Sequence, residues 1–163
     1  MIAAVRTMPL TLLRTATMYS KILIPLDGSP RAEAILPHAL DVARHCRARV
    51  VLVQVVEAEI ANLSAFDFLP GVNVDALKRQ VEQADIYLSA VLRQFQVQGI
   101  EGEIYIKPGA VVRGILEVAR ELEVDLVAMA SHGHTGLVRV FYGSVTAGIL
   151  HHIDRPLLLV RAQ

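Results

Sequence analysis

Residues 129–145 read MASHGHTGLVRVFYGSV and decide how the rest of the chain is interpreted. An apolar run, 124–128, leads into them, and a segment with helical character, 143–152, overlaps their end. The pattern therefore predicts a strand, a loop of small residues and the start of a helix. In an open α/β sheet such a junction binds anions, because unpaired backbone N–H groups and the positive helix end point into the crevice. We infer a phosphate site.

The flanking sequence predicts a sheet built from alternating strands and helices. Runs rich in Val, Ile and Leu predict strands at 21–27, 49–56, 101–107, 125–130 and 156–160, and 3.6-residue periodicity predicts helices at 30–46, 75–98, 110–122 and 143–152. One helix is expected over 30–46, bent at Pro37, and the alternating segment 101–107 is expected at an edge of the sheet. Five strands and four helices in strict alternation predict an open parallel sheet with helices on both faces.

The order of the strands decides which loops share a crevice. With the order 3-2-1-4-5, the winding reverses between the first strand, ending at Asp27, and the fourth, ending at Ala130. Ligands in such sheets bind beyond the carboxyl ends of the strands at that reversal. Asp27 and the 129–145 stretch are therefore expected to face each other.

Length and composition limit the class of protein. The 163 residues suit one domain, which is expected at 18–163. Residues 1–17 are expected to be a disordered extension, and Met18 is an alternative start of the protein. Hydrophobic residues make up 53%, but no apolar run approaches the roughly 18 residues of a membrane span. Lys plus Arg and Asp plus Glu both number 16 and are scattered, unlike a nucleic-acid-binding stripe. The single cysteine, Cys46, suits a reducing cytoplasm.

Two common nucleotide fingerprints are absent, and a third pattern is present. Neither GxxxxGK[ST] nor GxGxxG follows the first strand. Instead Ala130 lies three positions before Gly133, and nine residues separate Gly133 from Gly143-Ser144. With ILIPLDGSP (22–30), the strand end 53–56 and RPLLLV (155–160), this pattern resembles the universal stress protein family, whose ATP-binding members carry glycine at the position of Ala130.

The resemblance carries specific expectations. It implies an adenine nucleotide alpha hydrolase-like fold that binds ATP and acts as a signalling or stress-response module without fast catalysis. It also implies a homodimer formed through the last strand, 156–160. Mg²⁺ is expected with the nucleotide, and Asp27 is its candidate protein ligand. The implied binding residues are Pro25, Asp27, Val55, Met129, Ala130, His132, Gly133, Arg139, Gly143, Ser144 and Val145.

Each of these assignments has a simpler structural alternative. Gly133 and Gly143 could serve only tight turns, and Ser144 could only cap a helix. Asp27 before Gly28 is also a common turn former. Ala130 is harmless in extended backbone but costs roughly 1 kcal/mol in a left-handed conformation.

The remaining signals point away from a metal centre and from fast catalysis. His132, His134, His151 and His152 match no zinc-ligand spacing. A nucleotidyl transferase of related fold would carry a histidine or lysine signature at the start of the first helix, whereas His38 falls at its middle. Slow ATP hydrolysis and a nucleotide-free interaction module remain as alternatives to plain ATP binding.

Overall fold

A computed structural model of the chain describes residues 18–57, 74–132 and 143–162. Within these ranges five strands form one sheet in the order β3-β2-β1-β4-β5, and every neighbouring pair is parallel. The strands are β1 (Lys21–Pro25), β2 (Arg49–Val56), β3 (Gly102–Pro108), β4 (Leu126–His132) and β5 (Leu157–Ala162). The predicted order and the edge position of the third strand are confirmed.

The described helices divide between the two faces of the sheet. They are α1 (Pro30–Glu33), α2 (Leu36–Cys46), α3 (Val74–Val97), α4 (Val111–Glu121) and α5 (Ser144–His152). On one face, Val50 and Leu52 of β2 share an apolar cluster with α1, α2 and α3. Val51 and Val53 share the opposite cluster with α4 and α5. Both faces of β2 are covered, which explains its continuous apolar run.

The prediction of one bent helix over 30–46 is wrong. The segment forms two helices, α1 and α2. Between them, the N–H groups of Ala34 and Ile35 donate to the carbonyls of Arg31 and Ala32, three residues back instead of four. Pro37 lies in the first turn of α2, where its missing N–H is unneeded. The proline therefore begins a second helix instead of bending one, so the described helices number five and not four.

Three of the five strands end two residues away from their predicted carboxyl ends, whereas β2 ends at Val56 as predicted. β1 stops at Pro25 instead of residue 27, although the Leu26 N–H still donates to the Val53 carbonyl at 2.8 Å. Gly28 then adopts φ +80°, a left-handed conformation that suits glycine. β4 and β5 run on to residues 132 and 162. The chain therefore turns immediately after Asp27, while β4 continues past Ala130.

Two glycines set how closely α4 packs against its neighbours. A Cβ added to Gly114 of α4 would lie 2.9 Å from a methyl carbon of Val55 in β2. A Cβ added to Gly148 of α5 would lie 2.7 Å from a methyl carbon of Val112 in α4. Both distances are too short for real side chains, so α4 is in direct backbone-to-side-chain contact with β2 and α5.

The amino edge of the sheet is tied together by charged side chains. Asp125 Oδ2 accepts hydrogen bonds from the Ser20 N–H at 2.6 Å, the Ser20 hydroxyl at 2.5 Å and the Lys21 N–H at 2.8 Å. These hydrogen bonds, the Ser20 hydroxyl first, lower the pKa of Asp125 despite its partial burial. Asp125 thus joins the start of β4 to the start of β1.

Arg155 makes a second tie at the same edge. Its side chain is 16% exposed, and its Nη1 donates to the carbonyls of Ala119 at 2.6 Å and Val124 at 3.0 Å. Its Nε donates to Asp154 Oδ1 at 2.7 Å. The guanidinium therefore joins the end of α4 to the chain entering β5. In the part of the chain that the structure describes, no helix is both long and apolar enough to cross a membrane.

Candidate functional site

A cavity of about 850 Å³ opens at the carboxyl edge of the sheet, where β1 lies between β2 and β4. Its described lining comes from the ends of these strands and from α1, α3, α4 and the start of α5. Eight of the eleven residues predicted for the site line it: Pro25, Asp27, Val55, Met129, Ala130, Gly143, Ser144 and Val145. The strand order thus brings together residues that lie more than 100 positions apart in sequence.

The other three predicted residues are not placed in the cavity. His132 is the last residue of β4, and only its backbone is described. Gly133 and Arg139 lie outside the described residues. Their assigned contacts with phosphate therefore stay predictions.

Asp27 both forms a turn and faces the cavity. Its Oδ1 accepts a hydrogen bond from the Ser29 N–H at 2.9 Å, the geometry of an Asx turn. Ser29 in turn caps α1, since its hydroxyl accepts from the Ala32 N–H at 3.1 Å. Asp27 is exposed and lines the cavity. The turn therefore fixes one carboxylate oxygen and holds the whole carboxylate at the cavity wall, where it can accept a hydrogen bond or bind a cation.

One wall of the cavity is apolar. Val53, Val55, Ile115 and Met129 line it, and all four belong to the apolar cluster on the α4–α5 face. Val55 is positioned by its contact with Gly114, which has no side chain to displace it. A flat aromatic ring placed against this wall would lose water from apolar surface on the protein and on itself, at roughly 25 cal/mol per Å².

The start of α5 presents free N–H groups at the cavity. Gly143 is the N-cap, and no side chain of the described residues caps the helix. The first intrahelical bond runs from the Ala147 N–H to the Gly143 carbonyl, so the N–H groups of Ser144, Val145 and Thr146 have no acceptor within the helix. Ser144 is exposed and follows the cap, so the alternative that it only caps the helix is not supported. This end of α5 suits an anion.

Ala130 is accommodated without backbone strain. It lies inside β4, paired with Val160, and is not among the described residues with positive φ. Its methyl group is 7% exposed and packs in the cluster on the α1–α3 face. The left-handed conformation that would penalise alanine does not occur, so the substitution adds a methyl group to the cavity floor at no conformational cost.

The cavity also has a polar side that the sequence patterns did not reveal. Its described residues include Arg31, Gln54, Glu57, Gln80 and Gln83. Gln80 and Gln83 lie three positions apart on α3, a spacing that puts them on one face but that is equally typical of an ordinary exposed helix face. Gln54 gave no signal either, because it is a single polar residue inside the apolar run that follows Arg49 in β2.

Tyr87 lies one turn beyond Gln83 on α3. Its hydroxyl oxygen is buried, and no hydrogen bond to it is found in the described ranges. Burial, followed by the nearby carboxylates of Glu33 and Asp27, raises the pKa of Tyr87 far above its ordinary value. The phenol therefore stays protonated at physiological pH and adds no charge beside Asp27.

The described residues do not form a metal centre by themselves. No group of three or more His, Cys, Asp or Glu side chains in these ranges could hold a metal ion. His151 and His152 are exposed in the last turn of α5 and do not line the cavity. A cation in the cavity would need ligands from the bound molecule, with Asp27 as a protein contribution.

Solved structures share this architecture. That of protein MJ0577 superposes with a TM-score of 0.74 at 27% identity, covering 90% of this chain and 98% of the other. A universal stress protein from Archaeoglobus fulgidus in complex with dAMP superposes at 0.62 and 19% identity, covering 88% and 98%. One in complex with cAMP superposes at 0.57 and 21%, covering 89% and 98%. At these low sequence identities, the similarity to the last two structures shows a common fold and nothing more.

Sequence relatives agree with the structural ones. Universal stress protein Sll1388 of Synechocystis is 27% identical, over 88% of this chain and 98% of its own length. Universal stress protein MJ0577 of Methanocaldococcus jannaschii is 29% identical, over 90% and 97%. The sequence profile described as the universal stress protein family matches residues 18–161. The chain belongs to the universal stress protein family.

Proposed function

We propose that this protein binds ATP in the cavity at the carboxyl edge of the sheet and acts as a signalling or stress-response module. The observation that carries the proposal is the start of α5, which no described side chain caps and which opens into the same cavity as the apolar wall and the Asp27 carboxylate. An anion site next to an apolar slot suits a molecule with a phosphate chain at one end and an aromatic ring at the other.

The described residues suggest how the nucleotide lies. The adenine ring packs against Val55 and Met129, with Pro25 at its edge, and the phosphates accept hydrogen bonds from the N–H groups of Ser144 and Val145. Asp27 accepts from a ribose hydroxyl or contributes one oxygen to Mg²⁺ held mainly by the phosphates, which suits an ion that keeps few protein ligands. Gly133, His132 and Arg139 complete the phosphate site from the loop.

Relatives of the same fold support an adenine nucleotide. Two universal stress proteins of this fold were solved in complex with dAMP and with cAMP. Alanine in place of the family glycine at position 130 would favour a nucleotide-free interaction module, but the extended backbone of Ala130 in β4 weakens that alternative. We assign no catalytic residue, so any hydrolysis of ATP is expected to be slow. The lone Cys46 suits a cytoplasmic location.

Calorimetric titration with ATP, ADP and AMP, with and without Mg²⁺, tests the proposal. Affinity should rise from AMP to ATP, because each added phosphate extends toward the α5 start, and Mg²⁺ should strengthen ATP binding. If millimolar ATP gives no heat and no shift in the thermal unfolding midpoint, the proposal is wrong.

A pair of charge variants on α5 locates the phosphates. Ser144→Asp places a carboxylate at the anion site and should weaken ATP binding at least about tenfold, while leaving the fold as stable or slightly more stable through the helix dipole. The control, His151→Asp, adds a carboxylate at the exposed far end of the same helix and should leave ATP affinity unchanged. Equal effects of the two variants on affinity would place the phosphates elsewhere.

We also propose that the protein is a homodimer paired through its last strand. β5 is an edge of the sheet, and its apolar residues Leu157, Leu158, Leu159 and Val160 are only half-buried. An exposed apolar edge strand carries unpaired backbone groups that a second copy can satisfy. Sedimentation equilibrium should give twice the mass of the chain, and a monomer at the highest soluble concentration would contradict the pairing.

A further inference from the structure

The cavity extends over both faces of the sheet. Val53 and Val55 of β2 belong to the α4–α5 face, so alternation along the strand puts the side chain of Gln54 on the α1–α3 face. We call the part of the cavity on that face the amide wing and define it by Arg31, Ala32, Gln54, Gln80, Gln83 and Ala130. The amide wing is continuous with the apolar wall around the ends of the strands.

Gln54 supplies an unused acceptor in the amide wing. Its Oε1 is buried, and none of residues 18–57, 74–132 and 143–162 gives it a hydrogen bond. A buried acceptor without a donor is destabilising, and most such atoms in native proteins find a partner in a ligand, an ion or an ordered water. The protein thus keeps an unfavourable group at a cavity wall, where a ligand N–H or O–H can reach it.

The chemistry of the amide wing favours a neutral, hydrogen-bonding group. Gln54, Gln80 and Gln83 each carry an amide that both donates and accepts, which matches the edge of a nucleobase or the hydroxyls of a sugar. Arg31 is the one cationic side chain in the described lining, and the carboxylates of Asp27 and Glu57 line the same cavity. That balance of charge does not select a further phosphate. Ala32 and Ala130 line this part of the cavity with small side chains, which leave room for a ligand.

We propose that the amide wing is a subsite for a second nucleoside, so that the cavity binds a dinucleotide more tightly than a mononucleotide. This inference rests on the proposed function, since the first nucleoside occupies the apolar wall and the linking phosphates pass the start of α5. Gln54 accepts a hydrogen bond from the second nucleoside, and Gln80 and Gln83 contact it from α3.

The test compares two ligands that differ only in the second nucleoside. Adenosine 5′-tetraphosphate and diadenosine tetraphosphate carry the same phosphate chain, and ATP serves as the mononucleotide reference. In calorimetric titrations we expect diadenosine tetraphosphate to bind at least about fivefold more tightly than adenosine tetraphosphate, the gain of one or two satisfied hydrogen bonds. Gln54→Leu should reduce that advantage to less than about twofold and leave ATP affinity unchanged.

Gln54→Leu is expected to fold, because it removes an unpaired buried acceptor and keeps the side-chain size. Gln83→Leu repeats the test from α3, and Gln98→Leu, an exposed glutamine beyond the end of that helix, is the matched control. Equal affinities for the two tetraphosphates in the wild type would overturn the subsite while ATP binding stands. So would an unchanged advantage in both variants, or an equal loss of ATP affinity in Gln54→Leu. Failure of all three ligands to bind would overturn the proposed function as well.

Discussion

At the amino edge of the sheet, Asp125 and Arg155 direct their charged groups to backbone atoms of neighbouring elements. At the carboxyl edge, Gln54 Oε1 and the first N–H groups of α5 have no such partner in the described part of the chain. The two edges are built from the same five strands. Polar groups that are satisfied within the protein stabilise the fold, whereas unsatisfied ones at a cavity are available to a ligand.

If the amino edge stabilises the fold, the largest loss of stability is expected from a substitution at Arg155. Arg155→Ala should lower the free energy of unfolding by about 2–3 kcal/mol, because it removes two hydrogen bonds from a charged donor and leaves the Val124 carbonyl, in nearly buried surroundings, without that donor. The Ala119 carbonyl loses the same donor but keeps the Val124 N–H at 3.1 Å. Urea unfolding measures the loss, and ATP affinity in the folded variant should not change.

The matched control at the same edge is Arg49. Its ion pair with Glu101 is 2.8 Å long, but the two side chains are 63% and 78% exposed. Arg49→Ala should therefore leave the free energy of unfolding close to that of the wild type, because solvent screens an exposed ion pair. If the two arginine variants lose equal stability, the carbonyl contacts of Arg155 are not the source of its effect.

A smaller effect is expected at Asp125, and it depends on pH. Asp125→Asn keeps the shape but removes the charge that three donors stabilise, so it should cost about 1–2 kcal/mol at pH 7, allowing for partial exposure. The lowered pKa means that the native state favours the ionised form. The stabilisation is complete above the pKa of the unfolded state, about 3.9, and is lost as pH falls through the folded value.

The measurement is the difference in unfolding free energy between wild type and Asp125→Asn as a function of pH. The difference should be constant from pH 7 to about 5 and should shrink below about 4. A difference that grew on acidification would mean that the protonated form of Asp125 is the stabilising one.

The smallest effect is expected at the carboxyl edge, from Ala130→Gly. The change restores the glycine of the family pattern, but glycine in a strand is destabilising by about 0.5–1 kcal/mol relative to alanine. ATP affinity should stay within about twofold, since the methyl group packs on the α1–α3 face and the adenine ring is placed on the other. Titration of ATP checks this, and a tenfold gain in affinity would show that the methyl group obstructs the nucleotide.

The two edges also differ in how far the sequence predicts them. The strands and the parallel sheet follow from apolar runs and alternation, because burial of a parallel sheet imposes a pattern on the chain. Once the order 3-2-1-4-5 is adopted, Asp27 is expected to share a crevice with the end of β4 and the start of α5, and the described residues there line one cavity. The structural effect of Pro37 is not predicted by the sequence. A proline that bends a helix and one that begins a helix have the same sequence pattern, and only the neighbouring hydrogen bonds distinguish them.

The amide wing could not be predicted for a different reason. Gln80 and Gln83 have the polarity of an ordinary exposed helix face, and only the packing of α3 against β2 and β3 places that face at the cavity. Arg155 was recognised within RPLLLV, but its role as a tie between α4 and β5 depends on carbonyls 31 and 36 residues away. Contacts of this kind carry no local signal in sequence.

The two close approaches of α4 have a mechanical consequence for this cavity. Val55, at the apolar wall, meets Gly114, and two residues earlier on the same helix Val112 meets Gly148 of α5. Neither contact leaves a gap that could absorb a displacement, since packed interiors have low compressibility. In the proposed complex, a displacement of Val55 by the adenine ring would therefore be transmitted through α4 to α5, whose first turn is the proposed phosphate site at the opposite end of the same ligand.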